Sequence, residues 1–383
     1  MTHPTRFDRT ILLVAAAVQT VGLGTVVALL ADLQDAYGFE SWGLGLIGGI
    51  AFGASFVSYL TLSRLADRGH AKRMLVLGSL GAGAGLVWAA FGTSLWSLVA
   101  ARALFGLAEG AAVPAARRIM LDWSPHEPGK ELGRLISASV SGFVIGPLAG
   151  AVLAENFGLR VPFLAPAVLL AVTLPFLFRI TPHPVSPVDT PKLMRSLVGN
   201  RAVWAAVALG VGEFFAIGAF DAVWARFMTD RGASTTLIGV SFAAFVIPIA
   251  VFSIWWGRLA DRRAPMSVGF VAAGAALIPY AMYGVLTEPW HLIGLSAVHG
   301  TVTAGIQPAA AAAVARATPR DLLATGQGML EAVGFLAAAV AALPAGWLYG
   351  SLGPRFTFGI VAAGTAVCLV IAAVLHRGSD RYH

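Results

Sequence analysis

The chain has 383 residues, of which 57% are hydrophobic and 12% are charged, and its mean hydropathy is +0.78. A soluble domain carries about 25% charged residues, so the composition excludes an ordinary water-soluble globule. The net charge of +7 would suit a nucleic-acid-binding protein, but a membrane protein with a basic cytoplasmic face gives the same value. The single cysteine, Cys368, excludes an internal disulfide bond.

Apolar runs dominate the chain, and a helix needs roughly 20 apolar residues to cross a bilayer. The first run, 10–31, is not followed by a signal-peptide cleavage site, so we expect it to be a membrane-spanning helix. The pattern predicts an all-α membrane protein with twelve spans: 10–31, 43–63, 73–92, 95–121, 132–154, 161–179, 202–225, 236–257, 266–286, 290–316, 322–349 and 354–375.

Basic residues are distributed unevenly between the loops. If both termini are cytoplasmic, 21 of the 26 Lys and Arg residues lie in cytoplasmic segments, four lie outside, and Arg102 lies within a span. Because cytoplasmic loops carry the excess of basic residues, we predict cytoplasmic termini. The expected location is the inner or plasma membrane, as a multi-pass protein.

About a hundred residues of the first half, from Gly24 to Pro125, recur in the second half without a gap at a shift of 194 residues. An Arg-Leu-Ala-Asp-Arg segment occurs at 64–68 and again at 258–262. Further aligned pairs are Gly24 with Gly218, Gly38 with Gly232, Gly45 with Gly239, Trp96 with Trp290, Gly106 with Gly300, Pro114 with Pro308 and Pro125 with Pro319. We infer a duplication with six spans per copy, which gives parallel repeats. The predicted domains are bundles 1–180 and 201–383, joined by a cytoplasmic linker at 181–200.

The loop after the second span, 63–73, and its copy, 257–263, resemble the signature loop of the major facilitator superfamily, although Ser63 replaces the usual leading glycine. Arg102, Gly106 and Gly110 resemble a second signature of this family. The resemblance implies two six-helix bundles and alternating access. The loop charges could close the cytoplasmic side, or could simply be an ordinary basic loop. The gating residues are Arg64, Asp67, Arg68, Arg73, Gly257, Arg258, Asp261 and Arg262.

Glycines and a proline in the fifth span form another motif. Gly142, Gly146, Pro147 and Gly150 resemble the signature of the drug:proton antiporter branch of the family. The resemblance implies export. Close helix packing explains the three glycines equally well, because residues four apart lie on one helix face.

Ionisable residues inside spans are costly and are functional candidates by default. A buried carboxyl group can take up and release a proton, so we expect proton coupling at Glu213, Asp221, Glu331 and Glu109. Asp221 could instead be a helix-end residue paired with Arg226. Glu331 could instead be a polar packing residue.

Substrate contact is expected from polar or aromatic residues that would line the same cavity. They are Arg102, Gln19, Trp224, His299 and Gln307. His299 could equally be a hydrogen-bonded residue of the bundle. The repeat does not conserve this chemistry, since Glu213 aligns with Gln19 and Arg102 aligns with Ser296. The charged residues therefore lie at positions where the two halves differ in sequence.

No metal-ligand spacing, phosphate-binding loop or nucleophile triad is visible, so we expect no metal, no cofactor and no enzymatic activity. The favoured function is proton-driven efflux of small amphipathic or cationic molecules, including drugs, by a monomer that does not bind nucleic acid. One alternative is a proton symporter that imports a nutrient or an organic anion, although only Arg102 could bind the anion. The other is a membrane sensor that transports nothing.

Overall fold

The structure is a computed structural model that describes residues 5–123, 128–180, 197–319 and 322–379. Within these ranges the chain is α-helical and contains no strand. The first half of the chain contains α1 (Arg6–Ala28), α2 (Leu30–Tyr37), α3 (Trp42–Leu65), α4 (Ala71–Phe91), α5 (Leu95–Trp123), α6 (Pro128–Phe157) and α7 (Val161–Leu177). The remaining helices are α8 (Arg201–Thr229), α9 (Thr235–Arg262), α10 (Pro265–Tyr283), α11 (Pro289–Thr303), α12 (Ile306–Ala317) and α13 (Leu323–Ser379).

Each of the twelve predicted spans has a helical counterpart, which confirms the fold class. Nine helices of the described residues are long and apolar enough to cross a membrane, and α7 is a shorter apolar helix. The tenth predicted span corresponds to α11 and α12 together, and the last two correspond to α13. Of the predicted linker, only 197–200 lies within the described residues.

The tenth predicted span, 290–316, is not one continuous helix. It breaks between Thr303 and Ile306, where α11 ends and α12 begins. Pro308 explains the break, because a proline has no N–H to bond the carbonyl four residues earlier, at Ala304. The repeat-related Pro114 lies within the unbroken helix α5, so surrounding packing determines whether such a proline ends a helix.

Two pairs of glycines in the left-handed region mark equivalent turns in the two halves. Gly38 and Gly232 have φ of 66° and 79°, and they are 194 residues apart. Gly158 and Gly353 have φ of 82° and 79°; they are 195 residues apart, one more than the repeat shift, and the second of them divides α13 into two helices. L side chains rarely adopt this backbone conformation, so the turns need glycine. The duplication is therefore visible in the backbone.

Repeat-related glycines also make the same close helix contact in each half. A Cβ atom on Gly106 would collide with the backbone carbonyl of Ala51, and one on Gly300 would collide with the carbonyl of Phe245. Both partners of the second contact lie 194 residues after those of the first. Small residues let helix backbones approach closely in a membrane, where packing rather than the hydrophobic effect holds helices together.

The chain divides into two compact units. Unit 1 consists of Met1–Val188 with Ala233–Ala243, and unit 2 consists of Asp189–Gly232 with Ala244–His383. The segment Ala233–Ala243 comes from the second half of the sequence, so the start of α9 belongs to unit 1 and its remainder to unit 2. The sequence repeat did not predict that the start of α9 would belong to unit 1.

Candidate functional site

Arg102 lies inside unit 1, with 3% of its side chain exposed. Helix α5 carries it, and its Nε donates a hydrogen bond of 3.4 Å to the Ile47 carbonyl of α3. The guanidinium also lies 5.8 Å from the centre of the Phe105 ring, within the range of a cation–π contact. Unit 1 thus holds a buried cation with its charge in a fixed place.

A small cavity of unit 1 is bounded by α1, α4, α5 and α6. Glu109 and Gln19 line it together with Thr20 and Ser139. Gln19 is buried, and its amide donates a hydrogen bond of 3.1 Å to Ser79 Oγ. The positive charge of Arg102 acts on Glu109 from two turns away on the same helix. The structure therefore brings Glu109 and Gln19 to one cavity of unit 1, with Arg102 two turns away from Glu109 on α5.

The glycine–proline motif of α6 packs against α1. Cβ atoms on Gly142 and Gly146 would collide with the backbone carbonyls of Ala17 and Val21, while one on Gly150 would lie 3.0 Å from Thr25. Pro147 contacts Gly24 of α1. Side chains in this motif would force the two helices apart, so close packing is one role that the geometry supports.

Glu213 is the buried carboxylate of unit 2, with 6% of its side chain exposed. Gln307 of α12 can hydrogen-bond to its carboxylate, and the Gln307 amide also donates 3.4 Å to the Gly210 carbonyl. The other carboxylate oxygen, Oε2, is buried and has no hydrogen-bond partner among the described residues. Such an atom is expensive to bury as an anion, which makes Glu213 well suited to hold a proton.

His299 lies at the centre of a cluster of aromatic rings in unit 2. The rings of Phe220, Phe245, Tyr280 and Tyr283 have centroids 4.7–5.7 Å from the His299 ring, which is 3% exposed. Aromatic pairs at these separations stabilise each other beyond simple burial. Tyr280 and Tyr283 are each 1% exposed, so these rings pack against one another inside unit 2.

His299 forms hydrogen bonds within the bundle. Ser296 Oγ donates to the Leu292 carbonyl at 2.9 Å, and the Tyr283 hydroxyl lies 3.3 Å from Ser296 Oγ and 3.2 Å from His299 Nδ1. The other ring nitrogen, Nε2, is buried, and no described residue hydrogen-bonds to it. His299 is therefore a hydrogen-bonded residue of the bundle.

Asp221 and Trp224 lie on α8 and are buried, at 6% and 3% exposure. Trp224 joins the aromatic cluster, with its ring centroid 5.0 Å from that of Tyr283. Arg226, suggested above as a partner for Asp221, forms a 2.7 Å ion pair with Asp230. Glu331 lies half-buried on α13. Trp224 and His299 thus meet in one aromatic cluster of unit 2, while Glu213 meets Gln307 and its charge acts on Tyr280 of that cluster.

The first gating loop forms a π-helical turn, Ala66–His70, with φ of 86° at Gly69. Its Arg68 is exposed, as is Arg73 at the start of α4, whereas the side chains of Arg64 and Asp67 lie outside the described residues. In the second loop Arg258, Asp261 and Arg262 are exposed and Gly257 is half-buried. Arg316 of α12 donates 3.0 Å to the Asp261 carbonyl and so caps the end of α9.

Comparison with known proteins identifies the family. The sequence profile described as Major Facilitator Superfamily matches residues 12–226 and 209–383. The chain belongs to the Major Facilitator Superfamily. It is 29% identical over 281 residues to the multidrug resistance protein MdtG of Proteus mirabilis, which covers 70% of each chain. MdtG of Salmonella paratyphi A is 25% identical over 276 residues, 69% of this chain and 68% of that protein.

Solved structures of the superfamily share the fold. A bacterial homologue of the human lysosomal transporter Spinster, inward-facing and occupied, has a TM-score of 0.80 at 15% identity, over 100% of this chain and 98% of its own. The nucleoside transporter NupG, as a point mutant, has a TM-score of 0.78 at 13% identity, over 96% and 99% of the two chains. These structural matches show the fold, and the family profile together with the apolar helices of the described residues confirms a multi-pass membrane protein.

This member of the superfamily also has site features that sequence reasoning missed. Tyr280, Tyr283, Phe220 and Phe245 surround His299, yet none was singled out as a site residue. A signal was present, because Tyr280 and Tyr283 lie three residues apart and therefore share one face of a helix. The sequence does not say which face of α8, α10 or α11 turns toward its neighbours. The sequence relatives, both named multidrug resistance proteins, do confirm the resemblance to the drug:proton antiporter branch.

Proposed function

We propose that the chain exports small amphipathic or cationic molecules in exchange for protons, by rocker-switch alternating access. The observation that carries this proposal is Glu213, a buried carboxylate whose Oε2 has no hydrogen-bond partner among the described residues. Such a carboxylate favours the protonated form when its surroundings exclude water, and it releases the proton when water enters. The multidrug resistance names of the relatives support the choice of cargo.

Aromatic rings beside the carboxylate support a cationic aromatic substrate. Trp224, Tyr280 and Tyr283 present π-faces to which an organic cation can bind. The substrate and the proton would then compete for the negative charge of Glu213. In this scheme the protein acts as a monomer. Both of its termini lie in the cytoplasm, an orientation that the distribution of basic residues supports.

The test uses purified protein in liposomes loaded with ethidium, an aromatic cation whose fluorescence reports its position. An imposed pH gradient, acid on the side that receives ethidium, should drive its movement in wild type. Glu213→Gln should lose this drive while still exchanging ethidium at equal pH. Transport that ignores the pH gradient contradicts the proposal, and uptake of a labelled organic anion with the proton would favour the symporter instead. Fusions at each terminus to a reporter that is active on only one side of the membrane test whether both termini are cytoplasmic.

A further inference from the structure

The start of α9 is held in unit 1 by carboxylates from two distant parts of the chain. Glu155, at the end of α6, accepts a 2.9 Å bond from the Thr236 backbone N–H and a 2.6 Å bond from the Thr236 hydroxyl. Asp32 of α2 accepts a 2.9 Å bond from the Thr235 hydroxyl. Because the first turn of a helix carries unsatisfied N–H groups and a partial positive charge, the Glu155 carboxylate stabilises this docking, while Asp32 contributes the hydrogen bond it accepts from Thr235.

Asp32 lies beyond the membrane-spanning part of α1, in the loop region that the charge bias places outside. Its side chain is half-buried. Oδ1 takes the bond from Thr235, but Oδ2 is buried without a hydrogen-bond partner among the described residues. The charged groups that act on it are both carboxylates, Asp35 on its own helix and Glu155 on α6. This carboxylate is therefore partly dehydrated and repelled by two neighbours of like charge.

We propose that Asp32 is a proton-binding site whose occupation from the outer side strengthens the docking of the α9 start, Ala233–Ala243, on unit 1. The proposal rests on the proton coupling proposed above and adds a second site to it, separate from Glu213. Docking is favoured because a proton on Oδ2 removes the charge that burial penalises, while Oδ1 still accepts from Thr235.

The direction of the pH effect follows from the linkage between proton binding to Asp32 and docking of the α9 start. Burial raises the pKa of the Asp32 carboxyl above its ordinary 3.8; the hydrogen bond from Thr235 lowers it, and the charges of Asp35 and Glu155 raise it further. Since the raised pKa belongs to the docked arrangement, protonation favours docking. This stabilisation is fully present below pH 3.8 and is lost as the pH rises through the raised pKa. External acid therefore strengthens the contact of the α9 start with α2 and α6.

The test measures access to a cysteine under the docked helix start. Ala233 is 7% exposed, so in a Cys368→Ser background Ala233→Cys should react slowly with an impermeant methanethiosulfonate while α9 is docked. Each rate is divided by that of Ala36→Cys, an exposed position on α2, to cancel the pH dependence of the thiol itself. Ile238→Cys, at 1% exposure, provides a second reporter.

In wild type the relative rate should rise about three- to tenfold as the pH is increased from 3.8 through the raised pKa of Asp32, since one pKa unit corresponds to a tenfold change in proton affinity. Asp32→Asn, which mimics the protonated group, should react slowly at every pH. Asp32→Asn with the wild-type pH dependence, or a wild-type rate that falls as the pH rises, would overturn the proposal.

Two further variants shift the midpoint of that curve in opposite directions. Asp35→Asn removes a repelling charge and should move the midpoint to lower pH, whereas Thr235→Val removes the hydrogen bond that favours the anion and should move it to higher pH. Shifts of the same sign in both would also contradict the proposal. The assay needs no transported molecule, so a negative result here leaves the ethidium test of Glu213 intact, and the reverse also holds.

Discussion

The two units share a scaffold and differ in the chemistry of their interiors. Gly106 in unit 1 and Gly300 in unit 2 make the same close helix contact. Inside unit 1, however, a buried arginine acts on the carboxylate of Glu109, whereas inside unit 2 Glu213 lies near aromatic rings and an uncharged amide. Duplication thus kept the backbone contacts that let helices pack and left the interior side chains free to diverge. Proton binding is expected where the carboxylate lacks a cation.

The largest expected effect is at Glu213. Glu213→Gln should reduce export driven by a pH gradient by about a hundredfold, on the scale of a tenfold change for each 1.4 kcal/mol, because the variant has no group to carry the proton. Glu109→Gln is the matched variant in unit 1, where burial also favours proton binding but the nearby Arg102 charge partly offsets it. Its effect should stay within about threefold on the same scale. Equal losses in the two variants would mean that the units do not differ in this respect.

The shared scaffold should fail equally in both units. Gly106→Ala and Gly300→Ala each push a methyl group into a facing backbone carbonyl, so each should lower the free energy of unfolding by about 2 kcal/mol. Gly274→Ala in α10 is the control, because its Cβ meets no atom within 4 Å and alanine favours a helix. Thermal unfolding in detergent measures all three. A much larger loss in one unit would show that the repeat-related contacts are not equivalent.

Much of this scaffold was predictable from the sequence. Spans follow from apolar length, and the repeat aligned Gly38 with Gly232 and Gly106 with Gly300 before their backbone roles were known. These features depend on local backbone demands, such as a positive φ or a close approach, that only glycine satisfies. The local rule that a proline interrupts a helix held for only one of two repeat-related prolines. The helix breaks just before Pro308, whereas Pro114 lies within a continuous helix.

The candidate site was predictable only in part. Charged residues in spans stand out in a sequence, so Glu213 and Arg102 were found. The ring cluster around His299 depends on how three helices are rotated, which periodicity alone does not fix. The docking of Thr235 and Thr236 on Asp32 and Glu155 joins segments that are distant in sequence, and it lies outside the repeat register. Such long-range contacts between unlike segments leave no local pattern.

A smaller effect is expected from the aromatic wall of unit 2. Trp224→Leu should weaken ethidium binding by about 1 kcal/mol, roughly fivefold, because leucine has neither the π-face nor the flat area of indole. Trp347→Leu is the control, since Trp347 is 54% exposed on the surface of unit 2 and belongs to no described ring pair. Equilibrium fluorescence titration measures both. Equal weakening would place ethidium outside the aromatic cluster.

The smallest effect is expected from moving the carboxylate between equivalent positions. Gln19 occupies the place in unit 1 that Glu213 occupies in unit 2. The double variant Gln19→Glu with Glu213→Gln keeps one carboxylate at the repeat-related position. Its neighbours become Ser79 and the cavity shared with Glu109, in place of Gln307 and Tyr280. If the surroundings create the proton site, the double variant should drive ethidium export no better than Glu213→Gln alone. Recovery of gradient-driven export would show instead that depth in the membrane suffices, since depth is what the repeat preserves when the neighbours change.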